Sequence, residues 1–402
     1  SFGNPAANDK GTIFDSATSY WCTAADGPNV AAGGAGELLR DRATERVLYT
    51  YTGSNSALNH SSNMFTATNT VLTAATDADP PGLGLSLDDI NAVHRGVAED
   101  WPLGSLLHFQ PLVEHYDIDN DGAYDGSGDK SVIFVGGNDG LLHCFDDSTG
   151  EELWGFIPPD LLSNINLLSS ADDLLYFVDG NASLYHYDDD GSANTPDKKL
   201  LIFGQRRGGF SYTTLDVTNH SAPLYKYSID ADHLGSGQEV LGQSWAEPQP
   251  CRMGYMDNST YKTKDVFFLS GGYDINQDKE GEEKATEDSI GRAVFAIDAQ
   301  TGALFSNCLF SHSNYASMTH SIIDAAAYPS PNTGTSARIY AGDLNGNLFA
   351  FRDDIFHRNR EASKSADFEG KYDGQEDGNW EQKLKLYSAP GKKIWYAPEI
   401  TY

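Results

Sequence analysis

Short runs of β-branched and aromatic residues alternate with polar positions along most of this chain. Gly, Asn and Asp interrupt them every few residues, the pattern of many short antiparallel strands. A degenerate unit recurs. From Val132 to Trp154 a strand is followed by a Gly-Asn-Asp-Gly turn, the strand Leu141-Leu142-His143-Cys144-Phe145, and then Asp147-Ser148-Thr149-Gly150-Glu151-Glu152-Leu153-Trp154. Val294 to Asp298 with Thr301-Gly302 and Leu304-Phe305 repeats the second half, and Ile339 to Phe351 repeats the first. Leu200 to Asp216 is a further variant. Such units cannot bury both faces alone, and radial stacking solves that, so the reading is all-β, a β-propeller of about seven blades. A sandwich explains the recurring turn less well. One short helix is expected over Ser86 to Arg95, with Ser86 as cap, Asp89 closing a weak capping box and Gly96 as the stop. Residues 1–99, rich in Ala, Ser, Thr, Asn and Gly, read as a loopy segment that lends strands to a propeller over 100–402. Val47 to Tyr51 is its strand-like part.

The charge balance narrows the function classes. Lys and Arg total 27 against 58 Asp and Glu, a net charge of -31 in 402 residues. That argues against nucleic acid and anionic membrane as partners and favours divalent cations. No apolar run reaches the length needed to span a bilayer, so no membrane insertion is expected. The start at Ser1 without Met reads as a processed product or a fragment. The 4 cysteines, Cys22, Cys144, Cys251 and Cys308, form no CxxC or CxxCH pattern, which excludes zinc ribbons and c-type haem attachment.

The strongest chemical signal is Asp117-Ile118-Asp119-Asn120-Asp121-Gly122-Ala123-Tyr124-Asp125 with Asp129, set between two strand-like runs. Calcium takes six to eight hard oxygens. Carboxylates at alternate positions one, three and five converge, a Gly at six permits the turn, and position seven offers a carbonyl. Asp117, Asp119, Asp121 and Gly122 meet that pattern, Ala123 supplies the carbonyl, and Asp125 stands at nine. Gly128 occupies the position of the usual Glu, and Asp129 is its substitute. The competing account is a solvated acidic hairpin.

Other groupings are weaker. Asp274, Asn276, Asp278, Glu280 and Glu282 alternate, but Lys279 replaces the Gly at six, so a solvated insert is the better reading. Asp188, Asp190 and Asn194 form a sparse acidic loop. Arg206-Arg207-Gly208-Gly209 is a basic point that could meet a carboxylate or phosphate, although a glycine-permitted turn explains it more simply. His143 and His108 read as structural histidines. No Ser-His-Asp or Cys-His spacing stands out, and catalysis is not expected.

Seven stretches, in order, resemble the propeller domain of the PilY/PilC family of type IV pilus tip adhesins and assembly factors. They are Leu103 to Pro111, Val135 to His143, Thr149 to Pro158, Phe203 to Gly209 leading to Leu215-Asp216-Val217-Thr218, Leu241 to Pro248, Gly271 to Asp274, and Tyr340 to Gly346. The resemblance covers about residues 100–400 and implies a quinoprotein-like propeller that is secreted and lies at the cell surface on the pilus. It implies calcium binding, minor pilins or neighbouring filament subunits as partners, a possible surface ligand, and action by binding. The family's large N-terminal adhesive region has no counterpart here. An architectural subunit of a filament or sheath shares these features. A quinoprotein dehydrogenase shares the Thr-Gly-Glu-Glu-Leu-Trp turn but usually carries adjacent cysteines, absent here. For a secreted propeller at least one disulfide is expected, Cys251–Cys308 first and Cys22–Cys144 as the remainder. The final run, Lys393 to Tyr402, resembles the opening strand of the family's last blade. Either Val47 to Tyr51 or a partner is expected to complete it.

Overall fold

The computed structural model describes residues 6–22, 24–29, 32–76, 82–96, 101–119, 128–168, 174–187, 198–234, 240–257, 260–329, 336–353 and 380–397. The chain falls into two compact units, residues 1–179 with 217–225, and residues 180–216 with 226–402.

The first unit opens with α1 (Gly34–Asp41), β1 (Leu48–Tyr49), α2 (Thr70–Thr73), the small pair β2 (Ala75–Thr76) and β3 (Gly82–Leu83), and α3 (Leu87–Arg95). Helix α3 forms as its sequence predicts. Ser86 caps it, the Asp89 carboxylate returns the hydrogen bond in a full capping box, and Gly96 ends it at φ +82°. A meander follows: β4 (Leu112–Tyr116), β5 (Lys130–Gly136), β6 (Leu142–Asp146) and β7 (Glu152–Phe156), each strand antiparallel to the last, and then α4 (Ile165–Leu168). Strand β1 joins the outer side of β7 in parallel, with Leu48 opposite Gly155 and Tyr49 opposite Phe156. Leu48, Phe134, Trp154 and Phe156 are buried there, the Phe134 and Trp154 rings 5.9 Å apart.

Three more four-stranded meanders follow along the chain, all in the second unit but for Leu224 and Tyr225. They are β8 (Ala182–Tyr187), β9 (Lys198–Gly204), β10 (Tyr212–Asp216) and β11 (Leu224–Ile229); then β12 (Gln249–Asp257), β13 (Thr260–Ser270), β14 (Ala293–Asp298) and β15 (Leu304–Ser311); and last β16 (Ile322–Pro329), β17 (Ser336–Asp343), β18 (Asn347–Asp353) and β19 (Trp380–Ser388). Side chains in a strand point alternately to opposite faces. On β13 and β14 this sends Phe267, Leu269, Phe295 and Ile297 into a core with Ile202 and Tyr212. The intervening Val266, Phe268, Val294 and Ala296 enter a second core with Met253, Phe349 and Phe351. A strand with a core on each face reads as a continuous apolar run, which is why Val266 to Leu269 shows no alternation. Sequential four-stranded meanders with apolar residues on both faces are the blades of a β-propeller. The described residues make four of them.

Several expectations need correction. Helix α1 was not anticipated, because its start at Gly33 and Gly34 lacks a capping side chain and glycine disfavours helix. It is held instead by the Glu37 carboxylate, which accepts the Gly33 N–H at 2.7 Å, and by Trp101, whose ring lies where a Cβ on Gly36 would be. The helical content therefore exceeds one short helix. Residues 1–99 lend a strand, β1, to the first blade and fall in one compact unit with it. For the same reason Val47 to Tyr51 does not complete a last blade among the described residues. No disulfide joins the cysteines, all of which are thiols. Cys251 lies on β12 and Cys308 on β15, opposite edges of one meander. Three inter-strand spacings, about 14 Å, separate such edges, beyond the ~7 Å a disulfide spans.

Candidate metal centre

The acidic loop is the connection of the β4–β5 hairpin. Tyr116 and Lys130 are the last paired residues, so Asp117 and Asp129 flank its mouth. The structure gathers Asp117, Asp119 and Asp129, each offering a carboxylate oxygen within 4.8 Å of the others. Two ligands of one calcium ion, each ~2.4 Å from it, stand no more than about 4.8 Å apart, so these three fit a single ion. The Asp129 carboxylate also accepts the Ile118 N–H at 3.3 Å, which ties the two ends of the loop together. Asp117 and Asp119 are exposed and Asp129 is half-buried, an arrangement open to a cation from solvent. Asp121, Ala123 and Asp125 lie outside the described residues, as do Asp188, Asp190 and Asn194.

The second acidic run is solvated only in part, with Asp278, Glu280 and Glu282 exposed and its first residues built into the fold. Asp274, Asn276 and Gln277 are buried. The Asp274 carboxylate accepts N–H groups from Asn276, Ser289 and Ile290, and Asn276 donates to Asp288. Burial opposes the Asp274 carboxylate, but those donors hold its pKa below the usual carboxylate range. Arg206 and Arg207 are engaged by their own unit. The Arg206 guanidinium lies 4.2 Å over the Trp245 ring, and Arg207 pairs with Asp278 at 3.1 Å. Trp245 stacks on Tyr273, and Trp395 packs against both at 6.3 and 6.1 Å, which anchors the last described segment. Tyr396, next in the chain, is 83 % exposed.

Sequence reasoning missed a buried ionic cluster in the first unit. His143, read as a core histidine, is indeed fully buried, but among charges. Its Nδ1 lies 2.8 Å from Glu152 and its Nε2 3.2 Å from Asp139. Arg46 grips Glu152 through Nε and Nη2 at 2.7 and 2.6 Å, and its Nη1 donates to the Val93 carbonyl. Burial works against the charged imidazole, but Asp139 and Glu152 outweigh it and push His143 up to about 9. Burial likewise opposes the Glu152 carboxylate, and Arg46 holds it far below its ordinary range. Arg46 and Glu152 are 106 residues apart, and no local pattern announces the pair.

The blades define a protein of the β-propeller class, and comparison with known proteins gives its kin. No family model matches the chain. Its homologues are type IV pilus biogenesis factors. The PilY1 homolog of Xylella fastidiosa is 28% identical over 234 residues, 54% of this chain and 14% of the relative. PilY1 of Pseudomonas aeruginosa is 25% identical over 256 residues, 60% of this chain and 20% of the relative. The chain thus spans about a fifth or less of those relatives. Among solved structures, the P. aeruginosa PilY1 C-terminal domain aligns with 24% identity and a TM-score of 0.40 over 56% of this chain and 38% of that one. The quinohemoprotein alcohol dehydrogenase of Comamonas testosteroni aligns with 14% identity and a TM-score of 0.29, over 55% and 32%. Among the described residues no helix is long and apolar enough to cross a membrane.

Proposed function

We propose that this chain is a secreted, calcium-binding propeller that acts in type IV pilus biogenesis at the cell surface, through binding and not catalysis. The carrying observation is the alignment with PilY1 biogenesis factors over 54% and 60% of the chain. Calcium binding rests on the Asp117, Asp119 and Asp129 oxygens, which converge as one ion requires, with Asp121, Ala123 and Asp125 completing the shell. The bound ion would screen the loop carboxylates from one another and pin the β4–β5 hairpin. Minor pilins or neighbouring filament subunits are the partners this reading supplies, with a surface ligand as a further contact.

Two measurements test it. Deleting the coding segment in the organism that makes the protein should reduce surface pili, and labelled protein should mark filament tips. Regular labelling along the filament would make it an architectural subunit, and unchanged piliation would remove the pilus role. Calcium should raise the Tm of the chain by binding only the folded state, ~2.7 kcal/mol at a hundredfold excess over Kd. Asp119→Asn should abolish most of that rise while leaving the calcium-free Tm unchanged. A calcium-insensitive wild type would refute the metal site.

A further inference from the structure

A cavity of about 710 Å³ in the first unit is bounded by α1 and the chain leading to Arg46, by the Thr66–Thr68 turn, and by α3. That volume lies in the ~300–1,000 Å³ range of small-molecule sites. Its walls carry Arg40, Arg42, Arg46, Arg95 and His94 against one carboxylate, Glu45. The concentration of cations is notable in a chain with 58 acidic and 27 basic residues. Two of the arginines are already neutralised, Arg40 by Glu37 and Asp41, and Arg46 by Glu152. Arg42 Nη1 makes a long 3.5 Å hydrogen bond to the Glu152 carbonyl and a loose 3.6 Å approach to that same, occupied carboxylate. No ion pair engages Arg95 among the described residues. Arg42 and Arg95 therefore stand against the single carboxylate Glu45, an excess of one cation in the cavity wall.

His94 adds a second, independent observation. Its Nε2 lies 2.8 Å from the Phe65 carbonyl, so Nε2 carries the proton and donates it. Nδ1 is then a bare acceptor, and it is buried without a hydrogen-bond partner. A buried acceptor left unmet costs about 1–3 kcal/mol, and a ligand hydroxyl or N–H would supply the missing donor. Leu39, Ile90 and Pro102 give the cavity an apolar side.

We propose that this cavity binds a small hydroxylated organic anion, its carboxylate or phosphate held by Arg42 and Arg95 and its hydroxyl donated to His94 Nδ1. The proposal is independent of the pilus role and of calcium. Calorimetry on the full chain without calcium tests it, with L-malate and glycerol 3-phosphate as probes, succinate as the malate analogue without a hydroxyl, and glycerol as the neutral control. At least one of the two hydroxylated anions should bind with a Kd below about 1 mM, with glycerol silent. Arg95→Gln, on an exposed side chain, should weaken that binding about tenfold or more, since a charge-assisted hydrogen bond is lost. Arg252→Gln, outside the cavity, should leave it unchanged. Preference for malate over glycerol 3-phosphate, or the reverse, assigns the carboxylate or the phosphate class. The proposal is overturned if neither anion binds at about 10 mM, if Arg95→Gln and Arg42→Gln bind like wild type, or if the better-bound anion has no advantage over its analogue lacking the hydroxyl.

Discussion

The turn from Asp146 to Gly150 in the first unit and the turn from Asp298 to Gly302 in the second follow one plan. In each, the Asp carboxylate accepts two backbone N–H groups inside the turn, from Ser148 and Thr149 or from Gln300 and Thr301. In each, the glycine N–H returns to the Asp carbonyl, at 2.8 and 2.9 Å, with φ of +72° and +74°. An aromatic ring covers the glycine so closely that a Cβ would lie 2.5 Å from Trp21 or 2.6 Å from Tyr227. That ring then donates to the carbonyl one residue past the Asp, Trp21 to Asp147 and Tyr227 to Ala299. The strands beneath differ. Where the first unit has His143 and Glu152, three residues before and six after the Asp, the second has Phe295 and Leu304. The same backbone thus sits on a buried ionic cluster in one blade and on packed hydrocarbon in the other. The turn depends on its own hydrogen bonds and aromatic cover, whereas the positions beneath accept either chemistry if it is complete.

Completeness is what the first prediction breaks. Removing one partner of a buried ion pair leaves the other charged and unsolvated, at about 3–5 kcal/mol, whereas replacing the whole set with matched apolar residues is often neutral or stabilising. Glu152→Leu alone should cost that much in urea denaturation, since it strands Arg46 and leaves His143 with Asp139 alone. The triple variant Arg46→Leu, His143→Phe, Glu152→Leu copies the second unit's chemistry except for Asp139, which keeps the Gly104 N–H as a donor, and should recover most of the loss. If the triple is as unstable as the single, the cluster has a role that hydrocarbon cannot fill, and the equivalence drawn from the two blades is lost.

The pH dependence sharpens the contrast. His143 rises from an ordinary 6.5 to about 9 in the folded protein. Its contribution is therefore fully present below pH 6.5 and is lost as the pH climbs through about 9. At ~1.36 kcal/mol per unit, that is at most about 3 kcal/mol. Glu152 and Asp139 move the other way, so their contribution is present above their unfolded values and is lost as the pH falls. Stability of the first unit should peak between about pH 5 and 6.5 and decline toward 9. Phe295, at the corresponding place, titrates nothing. The alkaline decline should vanish in the triple variant, and its persistence there would move the cause away from His143.

These contrasts also show how far the sequence is legible. The blades were readable because their signals are local: strand-length apolar runs, the Asp-x-x-Thr-Gly turn of residues 298–302, and the Ser86–Asp89 capping box. The hairpin carboxylates Asp117, Asp119 and Asp129 were readable for the same reason, being thirteen residues end to end. What escaped is non-local. Arg46 meets Glu152 across 106 residues, and Trp21 covers Gly150 from the far N-terminal segment. Helix α1 begins on two glycines and depends on Trp101. The disulfide expectation failed because compartment and spacing carry no information about which strand of a meander a cysteine occupies.

The smallest effect separates geometry from burial. Lys130 pairs with Asp146, and Lys264 pairs with Asp298 at 2.7 Å. Each lysine lies two residues before the valine that faces the Asp across the ladder, Val132 or Val266, so the placement is the same. The lysine side chains are 28% and 34% exposed, while the aspartates differ more, 7% against 17%. Partly exposed pairs contribute about 0.2–1 kcal/mol and weaken with salt. Lys264→Met should therefore cost less than about 1 kcal/mol, a loss that shrinks as salt is raised. Lys130→Met should cost slightly more and respond less to salt, because Asp146 is the more buried and its charge the harder to leave unpaired. Denaturation of both variants at low and high salt decides it. Identical losses with identical salt dependence would show that the shared backbone geometry sets these energies. A difference confined to Lys130 would show that burial of the carboxylate does.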